Sequence, residues 1–233
     1  MSHISHLTSD KNYVIVVAGG SGTRMGGTIP KQFLLLNGKP VLMRTIGVFY
    51  NSGTRPQIIA VLHPDFHAYW AGLCKTHNFN IPHLLVNGGE TRFHSVKNGL
   101  DSIQDGADSL IAIHDAVRPL TSEKIINTSY KYAAEHGNAI TAVKSRDSVR
   151  LLKHGVSESL TRENIYLVQT PQTFKSSQIK KAYLQPYSTE FTDDASVAEA
   201  AGFTINLTEG SYKNIKITFP EDIAIAELLL NGG

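Results

Sequence analysis

Short apolar runs rich in β-branched residues recur at positions 14–17, 58–62, 84–86, 110–113, 140–143 and 215–218. Most are separated by stretches of helical length and period, so the chain alternates strand and helix. That rhythm predicts an α/β fold: a mainly parallel sheet, helices on both faces, right-handed crossovers, and a ligand at the carboxyl ends of the strands. At 233 residues and 41% hydrophobic the chain can fill one large core, and no repeat or Ser/Gly/Pro-rich linker divides it. A single domain over 1–233 is the expectation.

Residues 144–172 break the rhythm. They are polar, alternate Val, Leu and Ile with charge, and carry a turn signal at His154-Gly155, which reads as a two-stranded arm. An isolated hairpin is marginally stable in water, so an arm of this length is expected to pack on something, most economically a second subunit. A surface loop is the alternative.

Charge and cysteine use narrow the partners. The net charge is +2 and the basic residues are scattered, which gives no nucleic-acid footprint. Cys74 is the single cysteine, so no internal disulfide or cysteine metal cluster is available and a reducing cytoplasm is the expected home. The opening MSHISHLTSDKN lacks the apolar core of a signal peptide, and no run approaches membrane-spanning length.

The stretch AGGSGTRMGGTIPK follows the first strand directly. Gly19, Gly20 and Gly22, with Ala18, let the backbone approach phosphate oxygens, and Arg24 and Lys31 add positive charge. The spacing matches neither GxGxxG nor GxxxxGK[ST]. At the end of the fourth run, IHDAVRP places Asp115 where one carboxylate can reach a Mg²⁺ held by phosphates, or can cap the helix that follows. His114 reads as a packed or capping group, since no histidine has metal-ligand spacing with another. Gly88-Gly89-Glu90-Thr91-Arg92 with Ser95 offers backbone groups and short polar side chains at the next strand end, suited to the edge of a base. Lys216, in NIKIT, is expected to project from a strand toward phosphate, or into solvent. There is no GxSxG, no Cys-His logic and no recognisable carboxylate pair. What remains is alignment and charge neutralisation, the pattern of phosphoryl or nucleotidyl transfer.

Taken in order, AGGSGTRM…PKQF, GGETRFHSV, IHDAVRP, TPQTF, TDDASVAEAAG and NIKITFPEDIAIAE resemble the 2-C-methyl-D-erythritol 4-phosphate cytidylyltransferases over residues 14 to 229. The resemblance implies a Rossmann-like three-layer nucleotidyltransferase fold with a protruding β-arm. It also implies transfer of a cytidylyl group from CTP to a sugar-alcohol phosphate, giving 4-diphosphocytidyl-2-C-methyl-D-erythritol and pyrophosphate for isoprenoid precursors. By the same resemblance Arg24, Lys31 and Lys216 would stabilise the five-coordinate phosphorus, and Asp115 would bind Mg²⁺. Gly89, Glu90 and Ser95 would contact cytosine, Ala116 would line the ribose, and Arg118 would support the phosphates. The arm would interlock with a second copy in a homodimer, lending Ser148 and Arg162 to the neighbour's sugar-phosphate pocket, with Thr192 contributed by the first subunit.

Three positions depart from the family pattern. Gly19 stands where many members have Ala, and Ser148 replaces Thr but keeps the hydroxyl. Lys213 stands where some members have an acid, which leaves Asp115 to bind Mg²⁺ mainly with the triphosphate. Two rival readings follow from the same residues. D-Ribitol-5-phosphate cytidylyltransferases share HDAVRP, though the TDDASVAEAAG segment favours methylerythritol phosphate; a module that binds CTP without chemistry is the rival of another class.

Overall fold

The computed structural model describes residues 11–18, 29–104 and 109–232. The first half of the chain runs β1 (Asn12–Ala18), β2 (Leu35–Leu36), β3 (Lys39–Pro40), α1 (Val41–Tyr50), β4 (Gln57–Leu62), α2 (His67–Thr76), β5 (Leu84–Asn87) and α3 (Arg92–Asp101). The second runs β6 (Leu110–Asp115), α4 (Glu123–His136), β7 (Asn138–Lys144), β8 (Val149–Lys153), β9 (Val156–Leu160), β10 (Tyr166–Lys175), α5 (Ser176–Ala182), α6 (Asp194–Ala200), β11 (Leu207–Glu209) and α7 (Glu221–Asn231).

Seven strands make one sheet in the order β11-β7-β10-β6-β1-β4-β5. All neighbours are parallel except β10, which runs antiparallel between β6 and β7. The alternation of β1 explains the three layers. Val14, Val16 and Ala18 join Ile58, Ala60 and Leu62 under α1, α2 and α4, where Leu42, Met43, Ile46, Phe49, Trp70, Ile126 and Tyr130 close the face. Tyr13, Ile15 and Val17 join Ile59 and Val61 on the opposite face, under Phe93, Val96 and Leu100 of α3 and the apolar sides of α5 and α6. Strands buried on both faces read as continuous apolar runs, which is why β1, β4 and β6 were legible. Parallel pairing puts Ala18 beside Leu62 and Val17 beside Asp115, so the carboxyl ends of β1, β4 and β6 lie at one edge.

Two parts of the chain differ from the sequence expectation. Residues 215–218 are not a strand: Ile217 donates its N–H to the Val117 carbonyl and buries its side chain with Leu36, Val41 and Ala226. The apolar alternation there reflects packing beside α7, and Lys216 projects from an extended connection. Residues 166–172, expected in the arm, begin β10 in the main sheet, paired with β7. The hairpin is β8 against β9 alone, a separate two-stranded sheet. Its turn is His154 (φ 49°) and Gly155 (φ 80°), two consecutive left-handed residues whose twist matches the strands they join.

At its base the hairpin is tied to the body. Ser145 N–H donates to the Ile165 carbonyl at 2.9 Å. The Arg146 guanidinium lies 3.3 Å from the centre of the Tyr212 ring, and the Tyr212 hydroxyl donates to the Lys144 carbonyl at 2.8 Å. Tyr212 precedes Lys216 by one short segment, so arm and site share an anchor.

Candidate active site

Asp115 ends β6 at the strand-end edge and is 8% exposed. Three cations converge on it. Lys216 Nζ is 2.9 Å from Oδ2, Arg118 Nε is 3.5 Å from the same oxygen, and Arg92 Nε is 3.6 Å from Oδ1. Burial alone would push the Asp115 carboxyl up, but the charges of Arg92, Lys216 and Arg118 together hold it well below the usual carboxylate range. It is therefore ionised at neutral pH. The alternative of a helix cap falls away, because α4 starts at Glu123 and Ser122 caps it by accepting from the Ile125 N–H.

Two of these cations have a second anchor. Arg118 Nη1 donates to the Asn214 carbonyl at 2.8 Å, which fixes the segment leading to Lys216. Asn214 is itself fully buried, its amide donating to the Thr170 carbonyl and its Oδ1 accepting from Thr121. Burial draws the Arg118 pKa down although Asp115 opposes this. Arg92 makes a bidentate pair with Asp194, at 2.8 and 2.6 Å. Burial would lower the Arg92 pKa, but Asp194 and then Asp115 raise it above its ordinary value.

His114 holds this edge from beneath. Its ring is fully buried, edge-on to Phe49 with centroids 4.8 Å apart. Nε2 lies 3.2 Å from the Arg118 carbonyl, which can only accept, so Nε2 carries the proton. Nδ1 then accepts from Thr170 Oγ1 at 3.0 Å, and the same hydroxyl accepts the Asp115 N–H at 3.1 Å. One neutral imidazole thus orients the backbones of Asp115 and Arg118. Burial pulls its pKa down to about 4. The packed reading of His114 holds, and the packing serves the site.

The remaining candidates are distributed along the same edge. Lys31 begins a short 3₁₀ turn, Lys31–Phe33, and next to it Gln32 Nε2 donates to the Ala18 carbonyl at 2.9 Å, pinning the turn against the end of β1. Gly19, Gly20, Gly22 and Arg24 lie outside the described residues. Gly89 N–H donates to Ser95 Oγ at 3.0 Å, and Ser95 Oγ donates to the Thr91 carbonyl at 2.9 Å. A Cβ on Gly89 would stand 2.4 Å from His94 Cβ, so glycine is required there. Glu90 is exposed beside it. Ala116 is 1% exposed, with its N–H on the Val17 carbonyl and its carbonyl accepting from Thr45 Oγ1.

Thr192 is exposed just before α6, where Asp193 forms a capping box with Ser196. Ser148 and Arg162 lie on the arm side of the molecule and are exposed; Arg162 donates to the Arg146 carbonyl at 3.2 Å and lies 3.6 Å from Glu163. Lys213 is exposed too. The structure therefore unites Asp115, Arg118 and Lys216 and leaves Ser148 and Arg162 on an arm that projects from the same base. It adds the pairing of Arg92 with Asp194 and the supporting bonds of His114. No spacing rule announces the Arg92–Asp194 pair, whose members are 102 positions apart.

A family model described as 2-C-methyl-D-erythritol 4-phosphate cytidylyltransferase matches residues 12–232. The chain belongs to the 2-C-methyl-D-erythritol 4-phosphate cytidylyltransferase family. It is 48% identical over 218 residues to the protein of that name from Phocaeicola vulgatus, covering 94% of this chain and 99% of the relative. The Bacteroides thetaiotaomicron protein of that name is 46% identical, with 94% and 100% covered. Among solved structures, the Francisella tularensis cytidylyltransferase superposes with a TM-score of 0.79 at 32% identity, covering 94% of this chain and 99% of that one. The Anaerococcus prevotii 4-diphosphocytidyl-2C-methyl-D-erythritol synthase superposes with a TM-score of 0.82 at 26% identity, covering 95% and 96%. The chain is accordingly a nucleotidyltransferase of the cytidylyl-transferring kind, with the three-layer fold expected of it. Among the described residues no helix is long and apolar enough to cross a membrane.

Proposed function

We propose that the protein joins CTP to 2-C-methyl-D-erythritol 4-phosphate. A phosphate oxygen of the acceptor attacks the α-phosphorus of CTP, the bond from that phosphorus to the β-phosphate bridging oxygen breaks, and pyrophosphate leaves. The acceptor phosphate is already anionic at neutral pH and needs no general base. The barrier is charge repulsion, so preorganised cations are the catalyst. The observation that carries this reading is the Asp115 cluster: Arg92, Arg118 and Lys216 around one ionised carboxylate, at the strand-end edge where β1 also ends. Arg24 and Lys31 are proposed to complete the set on the triphosphate. Gly89, Glu90, Ser95 and Ala116 are proposed at the cytidine, with Ala18, Gly19, Gly20 and Gly22 along the phosphates.

Magnesium fits the residues present. Among the described residues no group of three or more His, Cys, Asp or Glu could cage a metal, and Mg²⁺ characteristically takes one or two carboxylates with phosphate oxygens and water. Asp115 would hold it, and the ion would supply charge neutralisation on the triphosphate. The excess positive charge around Asp115 suits a site that receives an anion and its metal together.

A homodimer is proposed from the arm. Leu152 and Val156 of the hairpin are 69% and 71% exposed, and Tyr166, Leu167 and Val168 beside its base are exposed as well. Such a concentration of apolar surface on a projecting hairpin suits a partner of the same chain. Ser148, Arg162 and Thr192 are proposed to bind the acceptor across that interface. A single cysteine and the small net charge fit a cytoplasmic enzyme acting on small molecules.

The test is pyrophosphate release from CTP and Mg²⁺ with methylerythritol phosphate, with ribitol phosphate, and with no acceptor. Release with the first alone is expected. Release with ribitol phosphate alone would overturn the acceptor, and silence with both would overturn the reaction.

A further inference from the structure

Arg92 stands between two carboxylates of different character. Asp194 is fully buried and takes both ends of the guanidinium, at 2.8 and 2.6 Å, while its Oδ1 also accepts from the Tyr183 hydroxyl at 2.7 Å. Asp115, by contrast, is met by Arg92 only through Nε at 3.6 Å. The Arg92 side chain is 30% exposed, so one flank of this pair opens on the site. A bidentate pair of this kind is rigid and directional. As a source of stability a buried pair is replaceable by apolar residues, so its value lies in the geometry it fixes.

That geometry joins three segments. Arg92 is the first residue of α3, directly after the Gly89–Glu90–Thr91 turn proposed at the base. Asp194 is the first residue of α6, two positions after Thr192, proposed at the acceptor. Gln172 of β10 braces the same turn, donating to Asp193 Oδ2 at 2.9 Å and accepting the Ala195 N–H at 2.8 Å. Asp115, on β6, is the third corner.

We propose that Arg92 is a positioning residue anchored by Asp194, and that this pair locks the acceptor-side turn at residues 192–194 to the nucleotide-side helix and to Asp115. The inference rests on the cytidylyl transfer proposed above. Asp194 keeps both terminal nitrogens of Arg92 engaged and so holds the guanidinium at a fixed offset from Asp115. The carboxylate then keeps an oxygen for its own ligand. Released from Asp194, Arg92 would close on Asp115 and the Thr192 turn would lose its reference to the nucleotide. Misplacement of about 1 Å between reacting groups is enough to cost roughly a hundredfold in rate.

The experiment compares wild type with Arg92→Lys, Asp194→Asn and the neutral double variant Arg92→Gln/Asp194→Asn. It measures kcat, the KM of each substrate, the melting temperature, and the calorimetric Kd of the acceptor phosphate without CTP. Arg92→Lys keeps the charge and loses the fork. It is expected to lower kcat about tenfold or more, to raise acceptor KM and Kd about tenfold, and to leave the CTP KM within about threefold. The double variant removes the stranded charge and is expected to regain the melting temperature lost in Asp194→Asn without regaining kcat. Steady-state constants of Arg92→Lys within about twofold of wild type would overturn the inference, as would a double variant that recovers kcat together with stability. Should the double variant not fold, Arg92→Lys alone decides. An inactive wild type would refute the reaction, and the acceptor Kd of Arg92→Lys would still decide the role of the pair.

Discussion

His114 makes a quantitative claim about pH. Its ring is fully buried, neutral, and hydrogen-bonded at both nitrogens. Folding lowers its pKa from 6.5 to about 4, chiefly through desolvation. The unfolded chain therefore binds a proton more readily than the folded one, so this contribution is fully present above pH 6.5 and is lost as the pH falls toward 4. At 1.36 kcal/mol per unit, the loss over that window is about 3 kcal/mol. With a urea m-value of about 3 kcal/mol/M, the unfolding midpoint should drop by about 1 M from this group alone. The Asp115 carboxyl, held below its ordinary 3.8 by its three cations, adds its own loss only at still lower pH. The assay is urea unfolding followed by circular dichroism between pH 7.5 and 4, on wild type and His114→Gln. At pH 7.5 the variant should be weaker by about 1–3 kcal/mol through the unmet hydrogen bonds. The difference should shift by about 3 kcal/mol in the variant's favour as the pH falls to 4, closing the gap or reversing it, since only wild type must charge a buried imidazole. The other histidines are common to both proteins and cancel. A gap that stays constant across the range would refute the reasoning.

Three further outcomes follow from named contacts. Lys216→Gln removes the cation 2.9 Å from Asp115 Oδ2 and should lower kcat roughly a hundredfold or more; initial rates at saturating substrate check this, and a change under threefold would remove Lys216 from the chemistry. Gly89→Ala places a Cβ 2.4 Å from His94 Cβ and must shift the loop, so the KM for CTP should rise about tenfold, at about 1–3 kcal/mol of overpacking; an unchanged KM would detach this loop from the nucleotide. Leu152→Asp with Val156→Asp should convert a dimer into monomers in sedimentation at micromolar concentration, because both side chains are largely exposed on the hairpin; a wild type that sediments as a monomer would contradict the arm's proposed role.

The sheet was legible where burial on both faces leaves unbroken apolar runs, as in β1 and β6. It was illegible at β10. That strand carries Gln169, Thr170, Pro171, Gln172 and Thr173 through the middle of the sheet, and a proline argues against a central strand. Its polar side chains are buried because each meets a partner far along the chain: Thr173 bonds Ser129, and Gln172 reaches Asp193 and Ala195. At 215–218 the reverse holds, with alternating isoleucines that serve a helix contact instead of a ladder. Asp115 and Arg118 were legible because a strand-end motif put them at one edge; Lys216 was legible as a candidate cation, although the strand expected to carry it is an irregular connection. Arg92 and Asp194 stood inside quoted motifs, yet their pairing depends on the tertiary fold bringing the first turns of α3 and α6 together, which no local pattern encodes.

The central claim is that an oxygen of the acceptor phosphate attacks the α-phosphorus of CTP. A single turnover with methylerythritol phosphate carrying ¹⁸O in its phosphate, read by mass spectrometry of both products, tests it directly. The account predicts all label in the cytidine diphosphate product and none in pyrophosphate. Label in pyrophosphate, or CTP consumed without a cytidine diphosphate product, would contradict it.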